Sequence, residues 1–246
     1  MSRVLRVIDL SRTLLRYQQG LDIQATLVAQ RKAGTVGDTL LLFQHHAVYT
    51  LGKRGSVSHF KRPTEELLAE GVEIVNVPRG GELTFHGPGQ LIAYPIIGLR
   101  SASLGARAFV EGLEDAVVSA AAAFGISAQG RVPGATGVWV GQRKIAALGV
   151  QITHGVSSHG VALNVCTDLR YFDDIIPCGI TDREVTSLSR ECGSGVEVSS
   201  AAQALVRSLA LQLRCAEAGQ LQFASQQELA ALVMASSSTR TDPTMQ

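Results

Sequence analysis

Two side chains of this sequence are chemically suited to act together as a nucleophile and its proton acceptor. Cys178 lies between Pro177 and Gly179, and Lys144 lies in an apolar run earlier in the chain. A free thiol has a pKa of about 8.5, so a neighbouring base or cation is needed to make it a thiolate at neutral pH. A neutral lysine can accept the proton, and a charged lysine can stabilise the thiolate. If the fold unites them, the pair indicates acyl transfer through a thioester.

A glycine-rich block, RGGELTFHGPGQ at residues 79–90, is the second feature with chemical potential. Its glycines allow the backbone to approach a ligand without a Cβ in the way, and Pro88 restricts the loop. His86, and His159 further along, are suited to donate to a carbonyl oxygen or to orient the lysine. Backbone N–H groups near Gly160 or Gly179 are the candidates for an oxyanion donor. We therefore expect this block to form a wall against which an alkyl chain lies.

Each of these residues also has a purely structural interpretation. Most lysines are exposed, and a lone cysteine is more often a small buried hydrophobe. We expect that simpler role for Cys166, Cys192 and Cys215, and a structural role for the histidines outside any motif, which are His45, His46, His59 and His154. No CxxC or HxxxH spacing supports a zinc site, so the sequence predicts no metal.

Composition restricts the class of protein. A chain of 246 residues with 46% hydrophobic content is long enough for one catalytic domain, predicted over residues 1–215, followed by a short helix and a disordered polar tail over 216–246. The net charge of +1 favours neither nucleic acid nor an anionic membrane as partner. No apolar stretch approaches the ~18 to 20 residues that a membrane span needs. The sparse cysteines fit a reducing compartment, so we expect a soluble, cytoplasmic protein, with a short mitochondrial presequence as the alternative for the N-terminus.

Strands and helices are predicted to interleave along the chain. Hydrophobic spacing and turn signals predict strands over 1–10, 39–49, 72–77, 138–140, 143–152 and 160–165, and helices over 12–33, 65–70, 106–124, 199–213 and 226–234. Gly141-Gln142 predicts a tight hairpin that places Lys144 on its second strand. Lys144 shares its parity with Ala146 and Leu148, although the other face of that strand is apolar too.

Four ordered segments of the chain carry a resemblance to a known family. RGGELTFHGPGQLIAYPI, GQRKIAALGVQI, SSHGVALNV and IIPCGI together resemble the octanoyltransferases of lipoate biosynthesis, over about residues 5–215. The resemblance implies an α/β fold, with a mixed, largely antiparallel sheet flanked by helices, similar to the catalytic domain of biotin and lipoate protein ligases.

The resemblance also implies a reaction. An octanoyl group would pass from the phosphopantetheine arm of acyl carrier protein to a lysine on the lipoyl domains of 2-oxoacid dehydrogenase complexes and on the glycine cleavage H protein, without ATP or metal. Cys178 would carry the acyl group and Lys144 would handle the proton. Substrate contacts would come from Arg79, Gly80, Gly81, Glu82, Leu83, Thr84, Phe85, His86, Ala147, Leu148, Gly149, His159, Gly160, Val161 and Ala162. Phe85 departs from the usual tyrosine, which puts any hydrogen bond from that ring in doubt.

Different functions remain open on the sequence. An ATP-dependent lipoate or biotin ligase would share the fold without needing Cys178, although the GRGRxGR loop of biotin ligases is missing. An amidotransferase that moves octanoate between protein lysines would also fit the sequence, as would a non-catalytic binding module. A basic cluster of Lys53, Arg54, Lys61, Arg62 and Arg79 is either a docking surface for an acidic carrier protein or an ordinary solvated surface.

Overall fold

The structure is a computed structural model that describes residues 3–176, 184–215, 221–225, 227–228, 230–232 and 234. Its strands are, in chain order, β1 (Leu5–Leu15), β2 (Asp38–His45), β3 (Val48–Leu51), β4 (Glu73–Asn76), β5 (Leu83–His86), β6 (Gln90–Ile96), β7 (Val138–Val140), β8 (Arg143–Thr153), β9 (Val156–Asn164), β10 (Glu184–Val185) and β11 (Leu221–Phe223). Its α-helices are α1 (Tyr17–Ala33), α2 (Thr64–Ala69), α3 (Ala106–Ala122), α4 (Leu188–Cys192) and α5 (Val198–Gln212).

Within these residues the strands form a large sheet and a small one. The eight-stranded sheet has the order β10-β8-β9-β6-β2-β1-β11, with β7 paired to β8. Its centre is antiparallel, at β2–β6, β6–β9 and β8–β9, whereas β1–β2, β1–β11 and β8–β10 are parallel. The small sheet has the order β4-β3-β5. This architecture confirms the predicted mixed, largely antiparallel sheet flanked by helices.

Helices cover both faces of the large sheet. On one face α3 and α5 pack against it through residues such as Leu113, Val117 and Leu205, and on the other α1 packs through Ile23 and Leu27. The sequence folds in this way because α3 and α5 each carry an apolar stripe and α1 carries single apolar side chains that are removed from water on packing. A fully buried leucine or isoleucine stabilises the fold by roughly 1.5–3 kcal/mol. The small sheet has a separate aromatic core that includes Tyr49 and Phe85.

Two of the predicted boundaries are wrong near the N-terminus. The predicted helix over 12–33 begins at Tyr17, because β1 shifts its register and continues along β2 as far as Leu15. The predicted strand over 39–49 is two strands, and the chain leaves the large sheet at His46, whose N–H donates to the Leu15 carbonyl oxygen. Pairing between distant strands therefore overrides the local spacing of apolar residues.

The sequence prediction missed β5, which lies inside the glycine-rich block, and β6, which begins at the last residue of the block. A proline at position 95 argues against a central strand, because proline has no N–H for the sheet ladder. The structure accommodates it because the pairing of β6 with β9 ends at Ala93 and Val161, before Pro95 is reached. The glycine-rich block is therefore a short loop, the strand β5 and a turn that leads into β6, rather than one loop.

Two further strands differ from the prediction. β9 begins at Val156 rather than at residue 160, after a turn in which His154 and Gly155 both have positive φ (53° and 78°) as a primed hairpin turn requires. β11 was not predicted, and it pairs with β1. Residues 227–228, 230–232 and 234 of the predicted helix over 226–234 are helical. The polar tail from Ser236 lies outside the described residues, and the predicted domain boundary at residue 215 stays a prediction.

Candidate active site

A cavity of about 390 Å³ opens between the large sheet and the small sheet. Most of its lining comes from β5, β6, β8 and β9 and from two loops, 79–82 and 134–136. The other lining residues are Arg54, Val110, Phe172 and Val185. This volume lies in the range of small-molecule sites, ~300–1,000 Å³. Apolar groups such as Ile92 and Leu148 lie beside polar ones such as His86 and Lys144, so the cavity suits a substrate with an alkyl part and a reactive polar end.

Most of the predicted substrate contacts meet at this cavity. Those that line it are Arg79, Gly80, Gly81, Glu82, Thr84, His86, Ala147, Leu148, Gly149, His159, Gly160, Val161 and Ala162. Leu83 and Phe85 do not line it, because alternate residues of β5 face opposite sides. Phe85 is buried in the small-sheet core and stacks on Tyr171 with ring centroids 4.4 Å apart. Its contribution there is packing, while the contacts that the other residues would make with a substrate stay predictions.

Lys144 lies at the cavity with its side chain almost enclosed. The residue is 8% exposed, and its Nζ lies 4.7 Å from the centroid of the Trp139 ring. An aromatic face at this distance attracts an ammonium group. The predicted hairpin through Gly141 and Gln142 holds the two residues on adjacent strands, β7 and β8, with Trp139 paired directly to Lys144. The lysine is therefore held by its neighbours rather than free in water.

A shift in strand register sets the direction of the lysine. β7 pairs Val138 with Ala146 and Trp139 with Lys144, so Ile145 is an extra residue on the bulged strand. Ala146, which simple alternation would place on the same face as Lys144, instead belongs to the core on the α3 side. The parity expected from the sequence is therefore broken at Ile145.

Cys178 lies outside the described residues, so the predicted pairing of its thiol with Lys144 stays a prediction. The described chain ends before it at Ile176, whose N–H donates to the His59 carbonyl oxygen (2.8 Å). It resumes at Glu184, and Val185 pairs with Lys144 in the β8–β10 ladder.

Arg79 holds the glycine-rich loop in place from inside the protein. Its guanidinium donates to the Thr50 carbonyl oxygen (2.9 Å) and Oγ1 (2.6 Å), and to the carbonyl oxygens of Gly80 (3.0 Å) and Glu82 (3.2 Å). The Gly80 N–H in turn donates to the Val150 carbonyl oxygen (3.2 Å), which ties the loop to β8. The forked guanidinium can make these bonds together, which a lysine cannot. Arg79 therefore holds this part of the cavity wall in one conformation and gives it a positive charge.

His86 is a neutral hydrogen-bond acceptor at the cavity. The Gln90 amide is oriented by its Nε2, which donates to the Asn164 Oδ1 (2.9 Å) and the Phe85 carbonyl oxygen (3.2 Å). Its Oε1 therefore accepts from His86 Nδ1 (2.7 Å), which leaves the lone pair on Nε2. Burial, with smaller effects from His45 and Arg79, lowers the pKa of His86 well below its usual value. With its proton on Nδ1, the neutral ring cannot donate from Nε2 to a carbonyl oxygen. The other role expected from the sequence, orientation of the lysine, stays a prediction.

Two other histidines are neutral: His159, which lines the cavity, and His45, whose ring centroid lies 5.9 Å from that of His86. Burial lowers the pKa of His45 to about 3, and its Nδ1 donates to the Leu15 carbonyl oxygen (3.1 Å). Burial and the Arg79 charge lower the pKa of His159 to about 4. His159 has a φ of 56°, a strained conformation that brings its ring against Tyr94, with centroids 5.4 Å apart. These two histidines therefore add no charge beside the cavity.

Several residues that shape the site were missed by sequence reasoning. Tyr94 and Gln90 lie in the first of the four resembling segments and Asn164 lies in the third, so membership in these segments was the available signal. Trp139 lies just before the Lys144 segment and had no signal beyond being the single tryptophan of the chain. Their roles depend on which strands become neighbours.

The predicted basic cluster does not form one surface. Arg79 is buried, and Arg62 forms ion pairs with Glu66 (3.3 Å), Asp174 (3.5 Å) and Glu70. Lys53, Arg54 and Lys61 are exposed, and Arg54, 3.6 Å from Glu82, also lines the cavity. A docking surface beside the cavity would therefore depend on Lys53 and Arg54.

The described part of the chain has neither a metal-binding cluster nor a membrane-spanning helix. No group of three His, Cys, Asp or Glu side chains there is arranged to hold a metal ion. Among the same residues, no helix combines the length and apolarity required to cross a bilayer.

A protein-family model and individual proteins of other organisms both match most of this chain. The family described as the lipoyl protein ligase A/B catalytic domain matches residues 16–210. The Arabidopsis thaliana protein named Octanoyltransferase LIP2, mitochondrial, is 50% identical over 177 residues, which are 72% of this chain and 75% of that protein. The Acidobacterium capsulatum protein named Octanoyltransferase is 48% identical over 201 residues, which are 76% of this chain and 80% of the relative.

Solved structures show the same fold at much lower identity. Lipoate-protein ligase A bound with ATP superimposes with a TM-score of 0.73 at 16% identity, over 96% of this chain and 94% of that one. A putative lipoate protein ligase from T. acidophilum gives a TM-score of 0.70 at 15% identity, over 96% and 94% of the two chains. These likenesses concern the fold alone.

Proposed function

This chain belongs to the lipoyl protein ligase A/B catalytic-domain family, and from that membership we propose that it is an octanoyltransferase of lipoate biosynthesis. The observation that carries the proposal is the 45% to 50% identity to proteins named octanoyltransferase over most of the chain. A cavity with apolar lining residues such as Ile92 and Leu148 and an enclosed lysine at its wall supports it. The enzyme class is acyltransferase, with an acyl donor and lipoyl-domain acceptors.

The proposal extends to particular partners. The donor is octanoyl-acyl carrier protein, whose phosphopantetheine arm reaches the cavity, and the acceptors are lipoyl domains of 2-oxoacid dehydrogenase complexes and the glycine cleavage H protein. The acyl group arrives already activated as a thioester, so the reaction needs neither ATP nor metal. We place it in the cytoplasm, and exposed Lys53 and Arg54 beside the cavity are the proposed contacts for an acidic carrier protein.

In the first half-reaction, Cys178 becomes acylated. Its thiol gives its proton to Lys144, and the thiolate attacks the thioester carbonyl carbon of the donor. The bond between that carbon and the pantetheine sulfur breaks, and the departing thiolate takes a proton from the Lys144 ammonium. The products are an octanoyl thioester on Cys178 and the free thiol of the carrier.

In the second half-reaction, the amine of the target lysine attacks the Cys178 thioester. An ammonium has no lone pair, so the incoming amine must be neutral, and Lys144 takes the proton that the nitrogen loses on forming the amide. The proton then returns to the Cys178 thiolate as the carbon–sulfur bond breaks. The unprotonated Nε2 of His86 is suited to accept a hydrogen bond from the incoming amine.

Intact-protein mass spectrometry tests this function. After mixing with octanoyl-carrier protein, the wild type should gain an octanoyl adduct that hydroxylamine removes, because hydroxylamine cleaves thioesters. Cys178→Ser should lack that thioester, and Lys144→Ala should form it much more slowly. Cys166→Ser, which alters an exposed thiol elsewhere, is the matched control and should behave as wild type. An adduct that persists without Cys178 would contradict the mechanism.

The same assay separates the competing functions. A ligase would require ATP and octanoate and would retain its activity in Cys178→Ala. An amidotransferase would accept an octanoylated lipoyl domain as donor in place of the carrier protein. A binding module would form no covalent adduct at all.

A further inference from the structure

Glu114 is a buried acid of α3 whose carboxylate fastens a loop. The residue is 4% exposed. Its Oε2 accepts from the Arg131 backbone N–H (2.8 Å) and its Oε1 accepts from the Gly137 backbone N–H (3.0 Å). A buried carboxylate is tolerated only when it is hydrogen-bonded, and bonds to a charged acceptor are among the stronger ones in proteins. One side chain therefore ties both ends of the segment 131–137.

The fastened segment is the part of the cavity wall next to Lys144. Gly134, Ala135 and Thr136 line the cavity. Gly137 has a φ of 135°, and a Cβ on it would lie 2.9 Å from the Ala146 carbonyl oxygen and 3.2 Å from Cε of Lys144. The Gly137 backbone thus packs directly against the alkyl chain of the lysine, at a position that only glycine fills without strain.

Trp139 connects the same segment to the charged end of the lysine. Its Nε1 donates to the Ala135 carbonyl oxygen (3.0 Å), and its ring lies under the Lys144 Nζ at 4.7 Å. The stem of Lys144 therefore rests on Gly137 and its amine rests on Trp139, and both supports depend on the loop that Glu114 holds.

We propose that Glu114 is a positioning residue for Lys144, which it sets in place through the loop 131–137 and Trp139. It does not itself line the cavity, so it acts only through these neighbours. The role of the lysine in acyl transfer rests on the proposed function, whereas its placement does not. A misplacement of about 1 Å at a reacting group can cost ~10²-fold in rate, which is the loss expected when the loop relaxes.

Glu114→Gln is the test variant, because it keeps the shape but offers one acceptor oxygen where two N–H groups need partners. Asp115→Asn is the matched control: Asp115 is the next residue of α3, and its carboxylate pairs with the Arg131 side chain at the surface. Two measurements require no enzymatic activity. The fluorescence of Trp139, the single tryptophan of the chain, reports on the loop. The pH profile of chemical labelling at the Lys144 amine, followed by mass spectrometry, reports on the surroundings of the lysine.

With its circular dichroism unchanged, Glu114→Gln should shift Trp139 emission to the red, increase its quenching by acrylamide and move the Lys144 labelling profile. Thioester formation at saturating donor should fall by ~10²-fold, with the KM for the donor within about threefold of wild type, since the residue touches no substrate. Asp115→Asn should match wild type throughout. Wild-type fluorescence and labelling in folded Glu114→Gln would overturn the proposal, whereas failure of wild type to form any adduct would overturn only the proposed function.

Hydrogen exchange on the unmodified protein covers the case in which Glu114→Gln does not fold. The Arg131 and Gly137 amides donate to Glu114 and should exchange slowly, unlike the amide of Gly134, an exposed residue in the middle of the loop. Exchange of all three amides at the same rapid rate would show that Glu114 does not fasten the loop, and the proposal would fall.

Discussion

Mild acid should destabilise this protein because its buried histidines are neutral in the folded state. Burial lowers the pKa of His45 from 6.5 to about 3 and that of His159 from 6.5 to about 4. The folded state therefore binds fewer protons than the unfolded chain between these values. The associated stability is complete above pH 6.5, falls as the pH drops through 6.5, and is fully lost only below the folded-state pKa of each ring.

The size of the effect follows from these pKa values. At pH 5 an unfolded histidine is almost fully protonated and neither buried ring is, so each ring removes roughly 2 kcal/mol of unfolding free energy relative to pH 7.5. His45 and His159 together remove about 4 kcal/mol, and His86, whose pKa is also lowered by burial, acts in the same direction. This is a large part of the ~5–15 kcal/mol that a typical domain has.

Urea unfolding, monitored by Trp139 fluorescence at pH 7.5, 6.5, 5.5 and 5.0, measures this loss of unfolding free energy. These pH values bracket the pKa of an unfolded histidine. Between pH 6 and 5, His45 and His159 should bring the slope close to two protons taken up on unfolding, or about 3 kcal/mol per pH unit, and His86 should increase it further. His45→Gln should lower this slope by about one proton. His46→Gln, which alters the exposed neighbour, should leave it unchanged. A wild-type slope below one proton, about 1.4 kcal/mol per pH unit, would refute the assignment of these rings as buried and neutral.

Two further predictions concern the walls of the cavity. A Cβ at Gly52 would lie 2.5 Å from the Gly81 carbonyl oxygen, so Gly52→Ala should displace the glycine-rich loop, cost about 1–3 kcal/mol and raise the KM for the acyl donor. Gly37→Ala, which meets open space, should leave both values unchanged, and equal melting temperatures for the two variants would contradict the prediction. Charge reversal at Lys53 and Arg54 should raise the KM for octanoyl-carrier protein far more than for a short octanoyl thioester. Equal increases for the two donors would argue against carrier docking at this surface.

Much of the fold could be predicted from local patterns in the sequence. The apolar stripes of α3 and α5 and the Gly141-Gln142 hairpin depend on residues close together in the chain, so they were predicted within a few positions. The fold class followed from the resembling segments. By contrast, β6 was not predicted, and it contains Pro95. A central strand accepts this proline only because β9 has stopped pairing with β6 before Pro95 is reached.

The candidate active site, too, could be predicted only in part from the sequence. The resembling segments selected residues that line one cavity, although Leu83 and Phe85 face the small-sheet core because β5 turns alternate side chains to opposite sides. The direction of Lys144 depends on a register shift at Ile145, which no spacing in the sequence predicts. The burial of Arg79 and the neutral state of His86 likewise depend on residues that are distant in sequence.

For this protein, the sequence alone determined the family, the helices and strands with strong periodicity, and the residue types available for chemistry, because these are properties of short segments. Only the tertiary structure decided which side chains line the same cavity and which histidines are buried. It also decided that a carboxylate on α3 holds the loop beside Lys144. The physical reason is that burial, electrostatics and strand register depend on contacts between distant residues, which exist only after the sheets and helices have packed.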